Sequence, residues 1–300
     1  MNERDPEVVR FDQARERFLD LVADLRPDLH RYCARMVGSI ADGEDIVQDT
    51  LARAYFALPE FETLPPLRAW LFRIAHNRAL DHLRSYGQRM GEPLEVVVDH
   101  AADTAPQPDE VLAREQATQA ALSRFTHLPP AQRSAVILKD VLGDSLEEIA
   151  DLLGLSVSAV KAALHRGRAG LRTQAGAPTP IKRGAPSPVM ARYAALFNAR
   201  DWDGVRAMLS SDVRLDLVSR SRRVGREVGG YVDRYARIPG WRLQPAWLEG
   251  REVIAVFRQP GDAAPGYFVE LAIVDGQVAF IRDFRHVPYI TQEADFTLIA

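Results

Sequence analysis

The chain has 300 residues, 47% hydrophobic and 26% charged, with a formal net charge of −3. That length exceeds one small domain and leaves room for two or three units with cores of their own, while the composition argues against wholesale disorder and against a membrane protein. The acidic balance does not announce a nucleic-acid binder, so any such role must come from local charge.

The charge is indeed segregated. Arg68, Arg73, Arg78, Arg84 and Arg89 form one basic stretch, Lys161, His165, Arg166, Arg168 and Arg172 form another, and Asp99, Asp103, Asp109 and Glu110 lie between them. At the N-terminus, Met1-Asn2-Glu3-Arg4-Asp5-Pro6 carries mixed charge with no apolar run behind it. With no later stretch long enough to span a bilayer, the expectation is a cytoplasmic protein with no membrane partner. The single cysteine, Cys33, permits no internal disulfide and is expected to be a small buried hydrophobe.

Strong helix formers with few breakers predict helices over about 11–37, 41–58 and 66–86. In the second, Asp42, Glu44, Asp45, Gln48, Asp49 and Arg53 make a poor DNA surface, because acids repel phosphate. In the third, Leu67, Trp70, Leu71, Ile74 and Leu83 supply a buried stripe, with Trp70 read as core. Arg68, Arg73, His76, Asn77 and Arg84 are then left for phosphates or exposed bases. Residues 92–112, with Pro93, Pro106 and Pro108 among scattered acids, read as a linker.

Asp144-Ser145 then offers a helix start, with Glu147 and Glu148 in the first turn and Leu146, Ile149, Ala150 and Leu153 as the apolar stripe. Gly154 ends that helix. Ser156 can cap a second one, in which Val157, Val160, Leu164 and Leu171 recur on one face and Ser158, Lys161, His165, Arg168 and Arg172 on another. Two helices joined by a short glycine turn predict a helix-turn-helix whose second helix suits the DNA major groove. Early side chains, Ser158, Lys161 and His165, are expected nearest base edges, and Arg166, Arg168 and Arg172 on phosphate.

A second run of prolines and glycines, 176–187, marks a domain boundary. Beyond it the pattern predicts helices over 188–199, 202–209 and 227–235 and strands over 213–218, 241–248, 253–258, 267–274 and 278–284, with Asp275-Gly276 as a hairpin turn. That is an α+β unit with an antiparallel sheet. No metal-ligand cluster, cofactor loop or nucleophile triad is read anywhere, and Gly225-Arg226-Glu227-Val228-Gly229-Gly230 is not a dinucleotide fingerprint.

Asp42-Gly43-Glu44-Asp45-Ile46-Val47-Gln48-Asp49-Thr50-Leu51-Ala52-Arg53-Ala54-Tyr55 resembles the acidic region 2.2 helix of extracytoplasmic-function sigma factors of the sigma-70 family. Arg68-Ala69-Trp70-Leu71-Phe72-Arg73-Ile74-Ala75-His76-Asn77-Arg78-Ala79-Leu80-Asp81-His82-Leu83-Arg84 resembles regions 2.3 and 2.4, and Leu128-Pro129-Pro130-Ala131-Gln132-Arg133 opens what resembles region 4. The resemblance covers about 15–173. It implies a region 2 helical bundle over 10–91 and a region 4 helix-turn-helix over 113–175, with the linker standing where larger members have a third domain. It further implies that core RNA polymerase and promoter DNA are the partners, the acidic helix docking on the β′ clamp helices and region 4 meeting the β flap. In the family the downstream promoter element is read as melted strand, a base flipping into the loop before the third helix, here residues 61–66. A conventional helix-turn-helix regulator would lack the clamp-binding and melting segments.

The stretch Tyr193-Ala194-Ala195-Leu196-Phe197-Asn198-Ala199-Arg200-Asp201-Trp202, then Asp212-Val213, then Ile281-Arg282-Asp283-Phe284-Arg285-His286-Val287-Pro288-Tyr289 resembles SnoaL-like domains of the nuclear transport factor 2 and ketosteroid isomerase superfamily. The resemblance implies a cone-shaped α+β domain over 188–290 that holds ligands between a curved sheet and helices. It makes Asp216, Tyr231, Tyr235, Trp247, Glu270, Asp283 and His286 candidate pocket residues. The expectation is therefore a multidomain chain: two all-α domains, then an α+β domain that regulates the sigma core in cis without catalysis. The alternatives are a ligand sensor, or an enzyme with an Asp or His as general base.

Overall fold

A computed structural model describes residues 17–58, 65–90, 117, 120–173, 184–292 and 294–299; most of both linkers and residues 61–64 of the expected base-capturing loop lie outside these. Contacts divide the chain into two units, Met1–Ala177 and Pro178–Ala300.

In the first unit, helices α1 (Arg26–Val37), α2 (Ile40–Ala57) and α3 (Leu67–Met90) form a bundle. α1 ends at left-handed Gly38, and Ser39 caps α2 by accepting a hydrogen bond from the Asp42 amide. A Cβ at Gly43 would lie 2.6 Å from the Ala34 Cα, so this glycine lets α1 and α2 meet backbone to backbone. Leu29, Tyr32, Cys33 and Met36 of α1 pack with Val47 and Leu51 of α2 and with Leu71, Phe72 and Ala75 of α3. Each fully buried large side chain here contributes about 2 kcal/mol of transfer free energy. Cys33 is buried, as its chemistry suggested, and burial pushes its thiol pKa up. On α3 the deepest aromatic is Phe72; Trp70, Ile74 and Leu83 are only partly buried.

The same unit continues with α4 (Leu122–Phe125) and α5 (Pro130–Val136), which runs into a wider turn over Ile137–Val141 where the Leu142 N–H reaches the Ile137 carbonyl at 3.0 Å. Helices α6 (Leu146–Leu153) and α7 (Val157–Thr173) follow. Phe125, Val136, Leu138, Ile149, Val160 and Leu164 join the same hydrophobic cluster as the bundle, so the two helical segments share one core.

The second unit packs α8 (Pro188–Asn198), α9 (Trp202–Ala207) and α10 (Gly229–Arg237) with a seven-stranded sheet. Its strands are β1 (Leu209–Leu217), β2 (Ser221–Val224), β3 (Arg242–Leu248), β4 (Arg251–Phe257), β5 (Tyr267–Val274), β6 (Gln277–Asp283) and β7 (Phe296–Leu298). They are ordered β2-β1-β6-β5-β4-β3-β7. The sheet is mixed, not antiparallel as expected: the meander from β3 to β6 returns the chain beside β1 in the same direction, with Leu215 opposite Ile281. Left-handed Asp275 and Gly276 form the expected β5–β6 turn.

Candidate nucleic-acid interface

Ser145 and Glu148 form a reciprocal capping box at the start of α6, which satisfies two helix N–H groups and holds the Glu148 carboxyl below its usual range. α6 stops at Gly154 (φ 67), whose left-handed backbone a side chain would strain, and the Leu155 amide closes onto the Ala150 carbonyl at 2.9 Å. Ser156 then accepts from the Ala159 amide at 3.2 Å and caps α7. Ile149 and Ala150 of α6 and Val160 and Leu164 of α7 are buried, whereas Ser156, Ser158, Lys161 and Arg172 are exposed and His165 and Arg166 half-buried. The first turns of α7 thus present a polar, cationic surface of the kind that enters a major groove.

Arg168 does not belong to that surface. It is buried and makes a two-pronged ion pair with Asp140, Nε at 2.9 Å and an Nη at 2.5 Å, so it joins the wide turn after α5 to α7. The expectation that it lies on phosphate is corrected. Buried, bidentate arginines are held by their geometry and are costly to release.

On α3, Arg68 bonds Asp28 at 3.3 Å and Asp144 at 2.6 Å, and lies over the Phe72 ring. Arg73 bonds the Asp151 carboxylate at 3.1 Å. His76 Nδ1 lies 2.7 Å from the Tyr32 hydroxyl and 3.4 Å from the Ser134 hydroxyl, which itself accepts from Tyr32 at 3.2 Å. Burial lowers the His76 pKa to about 4. Arg133, beside Ser134, donates to the Met36, Thr126 and Leu128 carbonyls, and burial brings its pKa down to about 10. Three of the five α3 residues expected on DNA are therefore occupied by groups of the second helical segment. Asn77 and Arg84 stay exposed, Arg84 loosely paired with Asp81 at 3.6 Å. The Arg73–Asp151 pair is exposed and contributes under ~1 kcal/mol; the buried Tyr32, Ser134 and Arg133 contacts hold the two segments together.

Along α2, Asp45 is exposed, Asp42, Gln48 and Asp49 are half-buried, and Arg53 is exposed and bonds Asp49 at 3.0 Å. Asp49 also pairs with Arg78 of α3. Asp45, Asp49, Arg78, Asp81 and His82 line a cleft of about 410 Å³ between the two helices. Glu44 departs from the expectation: it is fully buried and paired with Arg26, a structural carboxylate facing α1 rather than a docking group.

In the second unit the expected pocket residues separate. Cross-strand register aligns Asp216, Arg282 and Glu270 on one face of the sheet, where Arg282 lies 4.0 Å from Asp216 and 3.8 Å from Glu270. Asp283 is one residue on and so faces the opposite side. Trp247 instead donates to the Gly184 carbonyl at 3.1 Å. Asp216 and Glu270 are thus corrected as sharing a pocket with Asp283, whereas the register keeps Trp247 on the Asp283 face of the sheet. Asp283 is fully buried, accepting from Tyr235 at 2.9 Å and from the Arg285 amide at 2.8 Å, while Tyr235 and Tyr267 hydroxyls meet at 2.7 Å. Burial raises the Asp283 pKa against these hydrogen bonds. Sequence reading missed Asp140, Ser134 and Tyr32, whose roles depend on contacts distant in sequence.

Residues 21–89 match sigma-70 region 2 and residues 118–171 match sigma-70 region 4. The chain is 33% identical over 226 residues to the ECF RNA polymerase sigma factor SigG of Mycobacterium tuberculosis, covering 67% of this chain and 61%, about three fifths, of that relative. To SigJ of the same species it is 32% identical over 231 residues, covering 70% of this chain and 72% of SigJ. The crystal structure of Mycobacterium tuberculosis SigJ is similar over 88% of this chain and 95% of that one, at 24% identity and a TM-score of 0.36.

Proposed function

The chain belongs to the extracytoplasmic-function sigma factors of the sigma-70 family, and from that premise we propose that it binds core RNA polymerase and directs promoter-specific initiation, with its C-terminal unit modulating that activity in cis. The observation that carries the reading is the capped helix-turn-helix, whose exposed Ser158, Lys161 and Arg172 share a chain with a region 2 bundle. α7 reads the upstream promoter element, Lys161 and Ser158 at base edges and Arg172 on phosphate. Asp45 and Asp49 of the α2–α3 cleft dock on the β′ clamp helices, and region 4 meets the β flap.

The engagement of Arg68, Arg73 and His76 supports a closed state of the sigma core. Downstream promoter contact then requires the two helical segments to part, and polymerase binding supplies the free energy for it. We read the C-terminal unit as non-catalytic, because Asp283 is sealed among tyrosines with its oxygens already accepting hydrogen bonds. No described helix is long and apolar enough to cross a membrane, which accords with action in the cytoplasm.

The test is Lys161→Ala. Reconstituted with core enzyme, it should lose about 1 to 3 kcal/mol of promoter affinity or relax the upstream sequence preference accordingly, read by competition footprinting. Affinity and preference equal to the unaltered protein would contradict the assignment of α7 as the reader.

A further inference from the structure

Beside the sealed Asp283 cluster, and sharing Tyr231 and Arg285 with it, the second unit carries an open cavity of about 550 Å³, within the range of small-molecule sites. Its apolar lining comes from Leu217, Tyr231 and Ile238. Its walls are cationic: Arg223 of β2, Arg234 and Arg237 of α10, and Arg285 and His286 just past β6. The one acid at the wall, Asp233, is engaged by Arg206 at 2.6 Å. Among the described residues, none of Arg223, Arg234, Arg237 or Arg285 has a carboxylate within ion-pair distance.

That arrangement needs an explanation, because four guanidinium groups around one concavity repel one another, and the carboxylate that acts electrostatically on Arg285, Asp283, is buried and already accepts two hydrogen bonds. Arg285 is held in place, its guanidinium 5.2 Å from the Tyr235 ring centroid and 5.0 Å from that of Trp241. Gly230 adds no side chain to the wall: a Cβ there would sit 3.9 Å from an Arg223 Nη. His286 reports the resulting field, since its pKa is lowered first by burial and then by Arg220, Arg285, Arg234 and Arg258. Guanidinium forks match the oxygens of carboxylates and phosphates, and the apolar lining suits hydrocarbon.

We propose that this cavity is a binding site for a small amphipathic anion, a carboxylate or phosphate head held by Arg223, Arg234, Arg237 and Arg285, with an apolar body lying over Leu217, Tyr231 and Ile238. The site stands on the second unit alone and does not depend on the promoter-binding role. It would make the C-terminal unit responsive to a metabolite of that chemistry.

Isothermal titration of the full chain with octanoate, octyl phosphate and octanol tests the proposal. At least one of the two anions should bind, roughly tenfold or more tighter than octanol, and the tighter one identifies the head group. Arg234→Gln/Arg237→Gln alters two exposed side chains, so its circular dichroism and melting should be unchanged while anion affinity falls by roughly tenfold or more. Arg192→Gln, which does not line the cavity, should bind as the unaltered protein does. No binding of either anion, equal binding of octanol, or full affinity in the double variant would overturn the proposal.

Discussion

Arg168 and Lys161 lie seven residues apart on α7, share one face by helical spacing, and yet have opposite fates. Lys161 faces solvent, whereas Arg168 borders the apolar stripe of Leu164 and Leu171 and meets Asp140. Periodicity alone could not separate them, because Asp140 reaches α7 only through the wide turn after α5. Glu44 repeats the lesson on α2, where its partner Arg26 lies on α1. His76 is the residue whose charge is most revealing. The closed segments hold it neutral, with a pKa near 4 against 6.5 for an exposed imidazole. An opened chain therefore takes up the proton first, so the stability that His76 permits is complete above about pH 6.5 and is lost as pH falls toward 4, by roughly 3 kcal/mol in all. Urea midpoints measured from pH 7 to pH 5 should fall for the unaltered protein and fall less for His76→Gln. Parallel pH profiles in the two proteins would contradict a neutral His76.

At the scale of elements, what was legible was what is local. Ser145 as a helix start, Glu148 in its first turn, Gly154 as a stop and Ser156 as a cap announce two consecutive helices, and the structure has both. The hairpin at Asp275-Gly276 is equally local. What escaped were elements defined by a partner: β2, an arginine-rich edge strand with no apolar alternation, β7 at the other edge, and the parallel pairing of β1 with β6. The acidic helix α2 was legible as unsuited to DNA, but its division into a buried Glu44 and an exposed Asp45 was not. Asp45→Lys should weaken binding to core polymerase by roughly tenfold, about 1.4 kcal/mol, because it inverts one charge of the proposed docking surface. Fluorescence anisotropy of the labelled chain against core enzyme reads this, and unchanged affinity would remove α2 from the docking surface.

For the whole molecule, the change in composition after the second proline-rich run separates a helical segment from an α+β segment, and the two compact units of the structure meet in sequence at Ala177 and Pro178. The proposed action of the C-terminal unit in cis rests on covalent linkage, which raises the effective concentration of one unit for the other. Truncation after Ala175 should therefore change transcription from a cognate promoter at equal protein levels, and identical yield from both forms would remove the cis-regulatory role. More basic still is the proposed capacity of this chain to confer promoter recognition on a polymerase that lacks it. Run-off transcription on templates carrying promoters occupied by the protein in cells tests it most directly. Core enzyme supplemented with the full chain should give a transcript with one start site, and core enzyme alone should give none. Failure of the saturating chain either to associate with core enzyme or to yield a transcript from any such template would contradict the account.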